Sequence, residues 1–126
     1  MANEITAAAS LTCTKAGATV TGNTTLQITL TNNATYADTQ EIGTSVEQVV
    51  FSAGAIAEGI TYIWLKNIDT TNYIEIGNAA LAVIYGKLLA GQFGLYPVNK
   101  AAASDPGIYA RANTANCNLK IVAVGT

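Results

Sequence analysis

Apolar and polar residues alternate from the start of the chain. Ile5, Ala7, Ala9, Leu11 and Cys13 are interleaved with Thr6, Ala8, Ser10, Thr12 and Thr14, up to Lys15-Ala16-Gly17. A period of two is the repeat of a β-strand, whose successive side chains leave opposite faces. Gly17 and the Gly22-Asn23 pair are turn signals, with a short extended piece from Ala18 to Thr21 between them. From Thr24 the run TTLQITLT sets Leu26, Ile28 and Leu30 against Thr25, Gln27 and Thr29. This is the clearest half-buried strand in the chain.

After Asn32-Asn33 the stretch 34–43 is polar and weakly patterned, whereas 45–51 regains extended character, with Val46, Gln48 and Val50 opposed to Glu47, Val49 and Phe51. Small residues between glycines predict a loop over 52–59. The branched and aromatic run ITYIWLKN, 60–67, predicts a strand with Tyr62, Trp64 and Lys66 on one face and Ile63 and Leu65 on the other. Asp69-Thr70-Thr71-Asn72 predicts a turn, and YIEI, 73–76, the returning arm of a hairpin. The apolar run 79–85 fits a buried strand or a short helix, and its Val83-Ile84-Tyr85 end and the flanking Gly77 and Gly86 favour the strand. Leu88, Leu89, Phe93, Leu95 and Tyr96 follow among glycines, closed by Pro97, and 99–107 reads as a loop. The segments 108–112 and 117–124 predict a last hairpin around Asn113-Thr114-Ala115-Asn116. No helical stripe of useful length is present. About nine short strands with Gly/Asn turns predict an all-β fold, an antiparallel β-sandwich, jelly-roll-like. The expected organisation is a single domain over 1–126 with 1–5 as an N-terminal arm.

Composition narrows the function. Of 126 residues, 50% are hydrophobic and only 11% charged, with 6 Lys plus Arg against 8 Asp plus Glu and no histidine. Soluble domains average about 25% charged residues, so part of this surface is expected to lie against other protein. A net charge of -2 cannot form the basic stripe that nucleic acid or anionic lipid requires, so neither is expected as a main partner. The N-terminal residues do not read as a signal peptide, and the longest apolar run, 79–85, is too short to span a bilayer. Synthesis in a reducing cytosol is expected, with Cys13 and Cys117 as buried free thiols. The two Asn-x-Thr sequons, Asn23-Thr24-Thr25 and Asn33-Ala34-Thr35, then read as chance matches in an Asn/Thr-rich chain.

The chemistry available to side chains is sparse. Without histidine the commonest general base and metal ligand are missing. Glu47 and Glu75 both fall in predicted strands and are the pair from which a glycosidase site could be assembled, but their placement reads as solvated charge. Asp69 to Asn72 offers oxygens to calcium yet lacks the carboxylate density of a dedicated loop. The glycines around Lys87 and at Gly91-x-x-Gly94 lack phosphate-loop spacing. No catalytic residue, metal or cofactor is expected, and the chain is not expected to be an enzyme. The aromatics carry more information. Trp64 and Phe93 are expected in the core, while the tyrosines exceed what one small core needs. Tyr73, Ile74, Tyr85, Phe93, Leu95 and Tyr96 are the expected subunit or capsid contacts, with the arm through Ile5 reaching a neighbour.

The runs YIWLKNIDTTNYIEIG (62–77), GKLLAGQFGLYPVN (86–99) and IYARANTANCNLKIVAVGT (108–126) resemble small structural proteins of tailed bacteriophages. In these an aromatic strand, an Asn-rich turn, a Leu-x-Ala-Gly step and a closing Tyr-Ala-Arg/Lys-Ala-x-Thr hairpin follow in that order. The resemblance covers about half the chain. It implies a β-sandwich virion protein: a capsid decoration (cement) protein, or a head-fibre, tail or baseplate component, commonly trimeric. The leading expectation is a decoration protein made in the bacterial cytoplasm, carried on the outer capsid surface, and bound to the major capsid protein and to copies of itself. A carbohydrate-binding module using Trp64 with Tyr62 or Tyr73 as a stacking platform is the reading from a different class.

Overall fold

The computed structural model describes residues 4–29, 34–49, 59–78, 81–100 and 107–125. The chain divides into two compact units, Met1–Thr31 and Asn32–Thr126. The division follows from pairing: the first two strands bond only to each other, and all other strands bond among themselves.

The first unit is one long hairpin of β1 (Glu4–Lys15) and β2 (Ala18–Thr29), in unbroken register from Lys15 and Ala18 at the turn to Glu4 and Thr29 at the open end. Ala16 and Gly17 form the turn with φ of 51° and 82°. Two residues at positive φ make the turn whose twist matches that of the flanking strands. The expected break at Gly22-Asn23 is absent. Both residues are ordinary rungs, opposite Leu11 and Ser10, because β1 presents a continuous ladder and Gly22 needs no positive φ to join it.

The second unit contains β3 (Ala34–Ile42), β4 (Glu47–Gln48), β5 (Gly59–Asn67), β6 (Ile74–Gly77), β7 (Ile84–Leu88), β8 (Phe93–Lys100), β9 (Tyr109–Ala112) and β10 (Cys117–Gly125). They form two four-stranded antiparallel sheets, β3-β10-β5-β8 and β4-β9-β6-β7. The pairs nest: β3 with β10, β4 with β9, β5 with β8 and β6 with β7. This unit is thus one long hairpin with β6–β7 at its tip, rolled so that alternate pairs fall in opposite sheets. This is the order of an eight-stranded jelly roll.

Rolling explains where local reading departs from the structure. Residues 60–67 and 73–76 do not form a hairpin, because β5 and β6 lie in different sheets; β9 and β10 are separated in the same way. The weakly patterned stretch 34–43 is largely β3, held as an edge strand by β10, and edge strands need little apolar character. Strand β4 is shorter than the extended run 45–51, of which 50–51 lie outside the described residues, as do 52–58 of the predicted loop. Of the run 79–85, 79–80 lie outside the described residues and strand β7 begins at Ile84, whose side chain is exposed and not buried. Asn78 brackets a turn there, its N–H donating to the Val83 carbonyl (3.0 Å) and its Oδ1 accepting from the Val83 N–H (2.7 Å).

The core lies between the two sheets. From the first come Ile42, Ile63, Leu65, Leu119, Ile121 and Ala123; from the second, Ile74, Ile76, Leu88, Ala110 and Ala112. Burial alternates strictly along most of β10, as its sequence predicts. At the end of β5 one polar side chain is fully buried. The Asn67 amide donates to the carbonyls of Asn72 (2.8 Å) and Leu88 (2.9 Å), and its Oδ1 accepts from the Asp69 N–H (3.0 Å). Its backbone N–H donates to the Gln92 carbonyl and its carbonyl accepts from Gly91. The thiols are free, but only Cys117 is buried; Cys13 is exposed on the hairpin, which has no second layer within its own unit to cover it.

Replacing Asn67 by Ala strands two carbonyls and one N–H in a buried site. Chemical denaturation is expected to show a loss of about 2–4 kcal/mol. Thr70→Ala in the adjoining exposed turn is expected to change stability by less than about 0.5 kcal/mol.

Candidate functional site: the outer face of the β3-β10-β5-β8 sheet

Sheet register dictates which side chains share the outer face. In β5 the inward set is Ile63, Leu65 and Asn67, so Tyr62, Trp64 and Lys66 point out. Pairing then generates three rows across the four strands. The first is Phe93, Lys66, Lys120 and Thr39; the second Leu95, Trp64, Val122 and Ala37; the third Pro97, Tyr62, Val124 and Thr35. Two of the three rows are almost wholly apolar, on the face directed away from the core.

A sheet with one face on a core normally presents polar residues on the other. Here Phe93 is 67% exposed and Val122 37% exposed, and the Trp64 and Phe93 rings lie 6.3 Å apart, tilted by 30°. Both aromatics were expected in the core. The β5 and β8 registers place them outside, because Leu65 and Gly94 occupy the inward positions. Beside them Lys66 and Lys120 are directly opposed across β5 and β10. Among the described residues neither has an ion pair, and like charges in direct opposition destabilise a sheet unless an anion lies between them.

The outer face of the β4-β9-β6-β7 sheet is different. Glu75 on β6 is flanked in register by Lys87 on β7 and Arg111 on β9. Its Oε2 accepts from the Arg111 guanidinium and its Oε1 lies 3.6 Å from Lys87 Nζ. The Lys87 ammonium sits 4.5 Å from the centre of the Tyr73 ring. The Arg111 hydrogen bonds hold the Glu75 carboxyl below its ordinary value, aided by both positive charges and opposed by burial. This face carries an internally satisfied charged row, whereas the other carries an unsatisfied apolar one. The sandwich is therefore polarised.

The expected contact residues scatter over this frame. Phe93 and Leu95 are on the apolar outer face. Tyr73 belongs to the charged row. Tyr96 points inward from β8, where Gly94 leaves room for its ring, and the Tyr85 ring is 6.5 Å from it. Ile74 is 0% exposed, packed in the core, and is removed from the set: its neighbour Glu75 takes the outward position on β6. Ile5 pairs with Ile28 in the hairpin, and 1–3 of the expected arm lie outside the described residues. Sequence reasoning missed Trp64, Val122 and Val124 as surface residues. The signal was available in β10, where Ile121, Val122, Ala123 and Val124 are apolar on both faces, the pattern of a strand covered twice.

Among the described residues Glu47, Asp69 and Glu75 are each engaged by separate partners. Glu75 is committed to Arg111 and Lys87, and a depressed pKa is the wrong direction for a general acid. Glu47 accepts from the Gly43 N–H and from Gln40 Nε2 at 3.5 Å. Asp69 Oδ1 accepts from the N–H groups of Thr71 (2.7 Å) and Asn72 (2.6 Å), closing the turn and lowering the pKa of its carboxyl. Among the described residues no group of three His, Cys, Asp or Glu side chains is placed to hold a metal. Comparison with protein-family models, with curated proteins and with solved structures finds no match for the chain.

The depressed carboxyls set the acid limit of stability. Glu75 and Asp69 bind protons less readily in the folded chain than when unfolded, so the stability they confer is complete above their ordinary values of 4.5 and 3.8 and is lost as pH falls below them. With no histidine, urea midpoints are expected to be level from about pH 8 to 5 and to drop below about 4.5. Glu75→Gln is expected to lower the neutral-pH stability by on the order of 1 kcal/mol and to flatten the acid limb.

Proposed function

We propose that the chain is a structural subunit of a tailed-phage virion, a capsid decoration protein that docks through the apolar outer face of its β3-β10-β5-β8 sheet. The observation that carries the reading is that face: two apolar rows centred on Trp64 and Val122, bordered by the unpaired Lys66 and Lys120. An exposed apolar sheet of this kind marks a contact with other protein, and the lysines call for carboxylates on the surface it meets. The phage assignment itself rests on the sequence resemblance over 62–126. Jelly rolls are frequent among viral shell proteins, which supports the assignment by analogy of fold only.

In this reading no chemistry is required. Binding to the assembled shell, and not to free capsid subunits, stabilises the head by mass action. Burial of Trp64, Phe93, Leu95 and Val122 supplies the affinity, and Lys66 and Lys120 orient the approach. Copies associate with one another as well, with the trimer suggested by the resemblance as the expected unit. The alternative placement, in a tail, baseplate or head fibre, uses the same face and differs in copy number.

A second reading is favoured by a specific observation. The exposed Phe93 ring lies against the half-buried Trp64 ring on the outer face that also carries Tyr62, and such surfaces also stack on sugar rings.

Trp64 is the only tryptophan, so its fluorescence reports directly on this face. On addition of undecorated heads of the phage that encodes the chain, its emission is expected to shift to the blue and become shielded from iodide. Trp64→Ser with Val122→Ser is expected to weaken binding at least about tenfold while leaving the circular dichroism unchanged. Absence of binding to heads and tails alike would overturn the virion reading; retention on a glycan array, lost in Trp64→Ser, would replace it with the carbohydrate reading.

A further inference from the structure

The hairpin of β1 and β2 has two unlike faces. One carries the rows Thr6·Gln27, Ala8·Thr25, Ser10·Asn23, Thr12·Thr21 and Thr14·Thr19, the last joined by a hydroxyl hydrogen bond of 3.1 Å. The other carries Ala7·Leu26, Ala9·Thr24, Leu11·Gly22 and Cys13·Val20. On this second face Leu11 is 77% exposed, Val20 73% and Leu26 48%. Two-stranded sheets are marginal in water without a third strand or a second layer, and the unit supplies neither. The apolar face needs a cover.

Its own residue pattern identifies the cover. Three of the four rows, all but the central Ala9·Thr24, place one larger apolar side chain beside a smaller residue, and the larger one changes strand: β2 at Leu26, β1 at Leu11, β2 at Val20. A second hairpin turned half a revolution about the long axis lays β1 of one copy over β2 of the other. Leu11 then meets Gly22 of the second copy, Leu26 meets its Ala7, and Val20 meets its Cys13. Within these four rows the large residues Leu11, Leu26 and Val20 each face a smaller one. An open depression at this point is lined by Ala9, Ser10, Leu11, Gly22, Asn23 and Thr24. Charge is compatible too, since Lys15 at the turn is the one charged residue sharing the apolar face among 6–27, and the same rotation sets it over Ala18.

We infer that the β1–β2 hairpin is a self-association arm whose apolar face pairs with the same face of a second copy of this chain. The contact is isologous, the same patch serving both partners. Twelve residues extend roughly 40 Å and two strands span roughly 10 Å, so a pair of faces covers roughly 800 Å² in total, the size of a transient contact. Its effect is greatest where many copies are held side by side and effective concentration replaces affinity. The inference stands on the hairpin alone and does not depend on the virion reading.

Gly22 permits a clean test, because a Cβ built there meets nothing within 4 Å of its own chain. Gly22→Leu therefore leaves the hairpin able to form while filling the space that Leu11 of the second copy requires. Sedimentation velocity of the full chain is expected to show a concentration-dependent association step. Gly22→Leu is expected to move that step to at least about tenfold higher concentration. The swapped variant Leu11→Ala with Gly22→Leu restores small-against-large matching and is expected to recover it, and Thr12→Lys with Thr21→Glu, an opposite-charge pair on the other face, to leave it in place. A native chain with no such step, an unaltered step in Gly22→Leu, or no recovery in the swap would overturn the inference.

Discussion

The second unit depends on one buried amide. Asn67 ends β5 in one sheet, yet its side chain binds the carbonyl of Leu88 in the other sheet and both ends of the turn between β5 and β6. Its backbone closes the turn between β7 and β8 through Gln92 and Gly91. A jelly roll requires its connections to cross from sheet to sheet, and each crossing releases backbone groups from the ladders. Asn67 satisfies several of these groups at once, from a position where a hydrophobic residue could satisfy none.

With the roll secured at that corner, the remaining organisation follows from how apolar side chains are divided. Those pointing inward from both sheets make a closed core of Ile, Leu and Ala. The residues left over are treated differently on the two outer surfaces. Glu75, Arg111 and Lys87 neutralise one another on the β4-β9-β6-β7 side, whereas Trp64, Phe93 and Val122 remain available on the opposite side. The hairpin repeats the theme in two strands, hydroxyls and amides on one face and aliphatic groups on the other. A chain with 11% charged residues has little means of making every face equally polar.

Particular elements show which parts of this were legible without coordinates. The extended run 117–124 was legible as the strand β10, though not which of its two apolar faces lies outward. The branched and aromatic content of 60–67 identified β5 and its two faces, and the Asp69 turn formed as its side-chain chemistry requires. Local reading failed where the partner of a strand was at issue. Both β5–β6 and β9–β10 look like hairpins because turn residues separate them by a few positions, yet each pair is split between sheets. Trp64 and Phe93 were misplaced because their size suggests burial, whereas their side of the sheet is set by the parity of Leu65 and Gly94.

By itself, then, the sequence determined the antiparallel β class, the faces of strands such as β5, and the lack of histidine, since these depend on residue type and a period of two. Only the tertiary structure decided the nested pairing, the separation of the hairpin from the sandwich, and which apolar face is core and which is left outward. Those are long-range choices. A strand's two faces are written locally, but which of them meets another sheet depends on residues far away in the chain.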